Sequence, residues 1–143
     1  MKKVIIFLVG IAIIVAIVSY VYFNYRIMTN EVKQANAQYE SIYQKEIYGT
    51  DLATVLNKVV DDNTKNEVEK EDTGLYKDNG KNSIHVDIYF TDDDTIHSLE
   101  EIYSSGTSTF VQYYNQVKFK CTKIEYHEQT RRVRYLYFEQ IAT

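Results

Sequence analysis

From Val4 to Phe23 the chain runs for 20 residues without a charge, reading VIIFLVGIAIIVAIVSYVYF. At about 1.5 Å rise per residue, a helix of this length spans roughly 30 Å, the thickness of a bilayer's hydrocarbon core. A cleaved signal peptide has a shorter apolar core, about 7–15 residues, and small residues at the cut. Here the run closes on Ser19-Tyr20-Val21-Tyr22-Phe23, where bulky aromatics occupy the place of a cleavage site. A lipoprotein signal needs a cysteine just after the apolar core, and the single cysteine is Cys121. The segment is therefore read as an uncleaved signal anchor, with residues 4–23 spanning the membrane and 1–23 as the anchor region. Tyr20, Tyr22 and Tyr25 would stand at one interface, where amphipathic rings are favoured. Gly10 and Ser19 are tolerated in membrane helices.

Orientation rests on a small charge difference. Lys2 and Lys3 precede the run; Arg26 and Lys33 follow it. The positive-inside rule gives a narrow margin for a cytoplasmic N-terminus, which places the C-terminal domain outside the cell membrane.

About 120 residues remain beyond Phe23, enough for one small domain. The whole chain carries −4, and without Lys2 and Lys3 the remainder carries −6. Nucleic-acid binding leans on a basic face, so no nucleic-acid partner is expected. One cysteine permits no internal disulfide, which argues against a small disulfide scaffold.

The residues after the anchor read as a stalk helix over 24–48. No Gly or Pro falls between Asn24 and Ile47, and Met28, Val32, Ala35, Tyr39 and Ile42 recur at 4-3-4-3 spacing. This stripe is a candidate partner-helix face. Two heptads are too few for a coiled coil, so a stalk packed against its own domain is the favoured reading. Residues 49–143 then form an α+β domain. Gly49 ends the stalk, and Thr50 and Asp51 cap a second helix with an apolar face at Leu52, Val55, Leu56, Val59 and Val60. That helix is expected to fray at Asp61-Asp62-Asn63, where the acids oppose its dipole. A polar loop follows over 61–82, with a hairpin signal at Asn79-Gly80.

SIHVDIYF alternates, with Ile84, Val86, Ile88 and Phe90 inward and His85, Asp87 and Tyr89 outward. Asp92 to Asp94 turn the chain into a short returning strand at Thr95 to His97. Ser98-Leu99-Glu100-Glu101 matches a capping box, and Gly106 stops the helix it begins. Thr107 or Ser108 caps another short helix. Two long strands follow, Val117 to Tyr126 and Arg132 to Ile141, with a phase shift that predicts a bulge near Thr122. The expected sheet is small and mainly antiparallel, with three to four strands and short helices beside it.

Chemistry-bearing residues are sparse. Cys121, His85, His97 and His127 are the only soft-metal or nucleophile candidates. None shows the paired close spacing of a zinc site. Cys121 alternates with Phe119 and Val117 and reads as buried, while His85 and His127 read as solvated. The acidic runs miss the EF-hand spacing, since Lys65 and Asn66 fall where an oxygen ligand and a glycine belong. Arg131, Arg132 and Arg134 beside Tyr135, Tyr137 and Phe138 read as a charged turn that blunts a sheet edge. No cofactor motif stands out, and the chain is read as non-enzymatic.

The stretches MKKVIIFLV, IYGTDLATVLNKVVDDN and VKFKCTKIEYHEQTRRVRYLYFEQI resemble a set of small, uncharacterised single-pass membrane proteins of anaerobic Gram-positive bacteria. They cover more than half of the chain. The resemblance implies location and architecture, and it carries no site residue. A second resemblance is to type IV pilins and pseudopilins, which also set a long N-terminal helix, apolar in its first half, under an antiparallel sheet. Their leader is polar, ends in Gly, and precedes Phe and a Glu at the fifth mature position. Here Gly10 is preceded by VIIFLV, Ile11 follows it, and the fifth position is Val15. The leading expectation is a membrane-anchored, extracytoplasmic domain that binds another membrane or envelope protein or serves in an assembly. A pilin-like filament subunit is the alternative, and a small enzyme using Cys121 or a histidine the third.

Overall fold

The computed structural model describes residues 1–142. The chain divides into two compact units, Met1 to Ala35 and Asn36 onward.

The first unit lies within one helix, α1 (Lys2–Glu40). Its apolar side chains have no protein around them, and none of its most apolar window is buried. Among the described residues it is the one helix long and apolar enough to cross a membrane. Asn24 and Thr29 fold their side chains back onto the carbonyls of Tyr20 and Tyr25, at 2.8 and 2.9 Å. Such back-bonding keeps polar groups satisfied on a helix face.

The second unit takes the last turn of α1 into an α+β domain. Its elements are β1 (Glu46–Tyr48), α2 (Gly49–Lys65), β2 (His85–Phe90), β3 (Thr95–Ser98), α3 (Leu99–Ser105), α4 (Thr107–Tyr114), β4 (Lys118–Tyr126) and β5 (Val133–Gln140). The strands form one sheet in the order β1-β4-β5-β2-β3. β4 runs antiparallel to β1 and β5, β3 runs antiparallel to β2, and β2 runs parallel to β5. Burial on β2 alternates as its sequence predicts, with Ile84, Val86, Ile88 and Phe90 all buried. Leu52, Val55, Leu56 and Val59 of α2 join them in the core, along with Leu136, Phe138, Phe119 and Cys121. At Phe90 the core becomes aromatic, with Phe110, Tyr114 and Phe119 between 4.9 and 6.4 Å away, centroid to centroid. Tilted and edge-on arrangements of this kind suit the ring quadrupoles.

Several local expectations change. The stalk stops at Glu40, short of Ile47, and the residues after it turn and pair. Gln44 adopts a left-handed φ of 61°, its N–H reaches Cys121 O at 2.9 Å, and Glu46 to Tyr48 add β1 to the edge of β4. The free edge of β4 gives this segment a ladder that a helix would forgo, so tertiary pairing overrides propensity. The sheet therefore has five strands where three to four were expected; it is mainly antiparallel as its sequence predicts, with the one parallel pair of β2 and β5.

α2 starts at Gly49 with no side-chain cap, and Gly49 N donates to Val117 O at 2.9 Å instead. It also continues past Asp61 to Lys65. Asn63 is fully buried there and holds Ile84 by both main-chain groups, each at 2.8 Å. Lys58 pairs with Asp62, which offsets the unfavourable acids. At Asn79-Gly80 there is no strand hairpin: Asn79 Oδ1 accepts from the N–H groups of Lys81, Asn82 and Ser83. Gly106 stands at the N-cap of α4, in place of Thr107 or Ser108. The capping box at Ser98 and Glu101 is formed, and the register of β4 shifts between Cys121 and Lys123, as its sequence predicts.

Candidate functional site

The apolar side of β2, β4 and β5 faces the core, and their alternate residues form a second, polar face. Cross-strand register sets these residues in rows. His85 and Glu125 flank Tyr135; Asp87 and Lys123 flank Tyr137; Tyr89 and Lys120 flank Glu139. Alternation alone dictates this face, because a side-chain period of two sends each neighbour to the opposite side.

The face is rich in phenols and internally bonded. Tyr135 donates to Asp87 at 2.8 Å and stacks on Tyr137, with centroids 6.4 Å apart. Burial, and then the bond to Asp87, push the Tyr135 phenol well above its ordinary range. It is neutral at every physiological pH and acts as a donor. Lys123 Nζ lies 5.7 Å from the centre of the Tyr135 ring and 2.6 Å from Glu125. Arg134 donates to Asp78 at 2.8 Å and approaches Glu125 at 3.7 Å. Asp78 is held below the usual carboxylate range, chiefly by the N–H of Gly80; burial opposes this, and Arg134 adds to the lowering.

A groove of about 620 Å³ opens where this face meets the loop around residues 71–78. That volume falls within the range of small-ligand and peptide pockets. Its carboxylates come from Glu71, Asp78, Asp87, Glu100 and Glu125, and its cations from Lys123 and Arg134. His85 lines it with a buried Nε2 that has no hydrogen-bond partner among the described residues. β3 pairs with β2 only from Asp87 to Phe90, and His85 and the buried Val86 line the groove beyond it.

The residues singled out by sequence fall elsewhere. Met28, Val32 and Ala35 lie in the first unit, and Met28 is exposed. Tyr39 is 1 % exposed in the core of the second unit, where its hydroxyl donates to Asp62 at 2.7 Å. Ile42 packs against that core from the turn after α1. Cys121 is fully buried, and burial raises its thiol to about 11. It is neutral and shielded, the opposite of an activated nucleophile.

His127 corrects the sequence reading: it is 2 % exposed, and its Nε2 donates to Ser83 O at 2.8 Å. The turn folds over residues 78–83, and the buried Ser83 carbonyl takes the imidazole N–H as its donor. His85 is also less solvated than its position on the polar face suggests. His97 bonds Glu101 and Thr95, each at 3.1 Å. Asp92, Asp93 and Asp94 accept from Gln140, Thr95 and Tyr89 at 2.6 to 2.8 Å. Among the described residues no group of three or more His, Cys, Asp or Glu is placed to hold a metal ion.

The groove itself was not singled out by sequence, although its signal is the outward set His85, Asp87, Tyr135 and Tyr137. No family model, curated protein or solved structure matches the chain.

Proposed function

We propose that this is a single-pass membrane protein whose non-enzymatic α+β domain binds another protein at the membrane surface. One observation carries the anchor: the side chains from Val4 to Phe23 are exposed along α1, apart from a half-buried Gly10. The apolar side chains of this 20-residue run left in water would cost far more than a small domain's whole stability, at about 1.5–3 kcal/mol per large side chain. Lipid removes that cost, and α1 satisfies its own backbone as a spanning segment must. Lys2 and Lys3 favour a cytoplasmic N-terminus and an extracytoplasmic domain. An anchor of this kind raises the domain's effective concentration for neighbours in the same membrane.

Binding, in place of catalysis, is supported by the state of the reactive groups. Cys121 is buried and protonated, and His127 is committed to a main-chain carbonyl. The open face offers phenols and paired charges instead.

The test is extraction. The full chain should remain with membranes through high salt and alkaline carbonate and be released by detergent. Recovery in the soluble fraction would overturn the anchor. The unbroken run of α1 from Lys2 to Glu40 also suits a pilin-like subunit. In that case the membrane-extracted chain would lack the residues up to Gly10 by intact mass.

A further inference from the structure

We propose that α1 from Asn24 to Met28 lies in the headgroup layer of the bilayer, with the Arg26 guanidinium on a lipid phosphate. This rests on the anchor reading above and names what the helix touches beyond its hydrocarbon-spanning run.

The distribution of apolar side chains is the first ground. Successive helix residues turn by about 100°, so Tyr20, Tyr22, Phe23, Tyr25, Ile27 and Met28 point to every side of α1. All six are exposed. A protein partner covers one side of a helix and asks only for a stripe, whereas lipid surrounds it. Past Met28 the pattern narrows. Val32 and Tyr39, seven residues apart, share one side; Val32 is half-buried and Tyr39 lies in the domain core. The change from a collar to a stripe falls at Met28.

Length is the second. The 25 residues from Val4 to Met28 rise roughly 37 Å at about 1.5 Å each. That exceeds the hydrocarbon core of about 30 Å and stays within the about 40–45 Å of the bilayer with its headgroups. Tyrosine is favoured in that outer layer, where its ring is apolar and its hydroxyl wet.

The polar groups are the third. Asn24 and Thr29 turn their donors onto Tyr20 O and Tyr25 O, so neither draws water to the helix surface. Arg26 is the one charged residue between Lys3 and Glu31, and no acid stands three or four positions from it. It makes no ion pair among the described residues. An arginine on such a helix lays its stem along the apolar surface and sends its head to the polar layer. There a phosphate matches its planar fork of N–H donors.

The sequence has no tryptophan, so a single introduced indole reports alone. Tyr25→Trp, Met28→Trp and Gln34→Trp are each made in the full chain in phosphatidylcholine vesicles; all three sites are exposed, so folding is retained. At 25 and 28 the emission should lie to the blue of that at 34. It should be quenched by phospholipid brominated next to the headgroup more than by aqueous iodide. At 34 the order should reverse. Iodide quenching at 28 as strong as at 34 would put the segment in water. Protection from both quenchers would put a second copy of the chain against it. Either result overturns the placement.

The phosphate contact has its own readout. In phosphate-free buffer the lipid is the only source of phosphorus. Solid-state NMR of the chain with isotope-labelled arginine should show the guanidinium carbon dephased by lipid phosphorus, and Arg26→Gln should lose that dephasing. Dephasing that survives Arg26→Gln undiminished belongs to the arginines of the domain, and its absence from the wild type means no contact; both refute the role of Arg26. Flotation reads the anchor separately, so a chain that floats yet shows iodide quenching at 25 and 28 refutes the headgroup placement alone.

Discussion

Asn36 shows how much one buried amide can hold. It is 5 % exposed; its Nδ2 donates to Arg131 O at 2.9 Å, and its Oδ1 accepts from Val133 N at 3.0 Å. Alanine would leave a buried N–H and a carbonyl without partners, at about 1–3 kcal/mol for each group left unpaired. Asn36→Ala should therefore lower the denaturation midpoint in detergent clearly, whereas Ala37→Ser, on the exposed side, should leave it unchanged. Two other residues set the behaviour in alkali. Burial raises the Cys121 thiol from 9.0 to about 11, and burial with Asp62 raises the Tyr39 phenol above 10.0. Both groups are neutral when protonated, and the native state holds their protons more tightly than the unfolded chain does. Their contribution is complete below the unfolded values and is lost as pH rises through the native ones. Stability should fall from about pH 9 upward. In Tyr39→Phe the fall above pH 10 should be shallower, even though loss of the bond to Asp62 weakens the neutral protein by about 1 kcal/mol. A slope unchanged by the substitution would show that Tyr39 titrates normally. Only part of this is legible in the sequence: Cys121 reads as buried from its alternation with Phe119 and Val117, whereas His127 reads as solvated and nothing marks Asn36, because only the folded chain reveals which carbonyls lack water.

At the scale of elements, local features are the legible ones. The face of α2 is written in a period of 3.6, that of β2 in a period of two, and the N-terminus of α3 in a four-residue box. Ser98→Ala should lower stability by about 1 kcal/mol, the usual worth of a cap. Neighbour relations are different, because periodicity fixes which face a strand buries and not which strand lies beside it. Hence β1 reads as helix in isolation, and the parallel pairing of β2 with β5 leaves no mark in either strand. The groove depends on those same relations: it exists because β3 stops short of His85 and because β5 sets Tyr135 beside it. Gly49 records another such contact. A Cβ there would stand 2.0 Å from Tyr114 O and 2.7 Å from the carbonyl carbon. Backbone cannot yield as a flexible side chain can, so Gly49→Ala should cost at least the roughly 1–3 kcal/mol typical of overpacking. Gly10→Ala, with nothing within 4 Å, should be harmless. Thermal unfolding of the two variants side by side tests whether α2 and α4 meet as closely as described.

For the whole molecule, anchored as proposed, the decisive variable is which side of the membrane the acidic domain occupies. The charge asymmetry that sets it is slight, with Lys2 and Lys3 before the apolar run and Arg26 and Lys33 after it. Long C-terminal domains cross largely regardless of their own charge, so the acids beyond residue 40 have little say. Topology should then respond to very few residues. Cys121 makes this measurable without first being removed: it is fully buried with a raised thiol, and a membrane-impermeant maleimide should leave it unmodified until the protein is unfolded. Gln112→Cys puts an exposed thiol on α4. In intact cells that variant should label at once and the wild type should not. With Lys2→Gln and Lys3→Gln added, the favoured inside charge is gone, and a substantial share of Gln112→Cys chains should become inaccessible until the cells are permeabilised. Full labelling in spite of both substitutions would show that the lysines do not set the orientation. Absence of labelling in the single Gln112→Cys variant would place the domain in the cytoplasm.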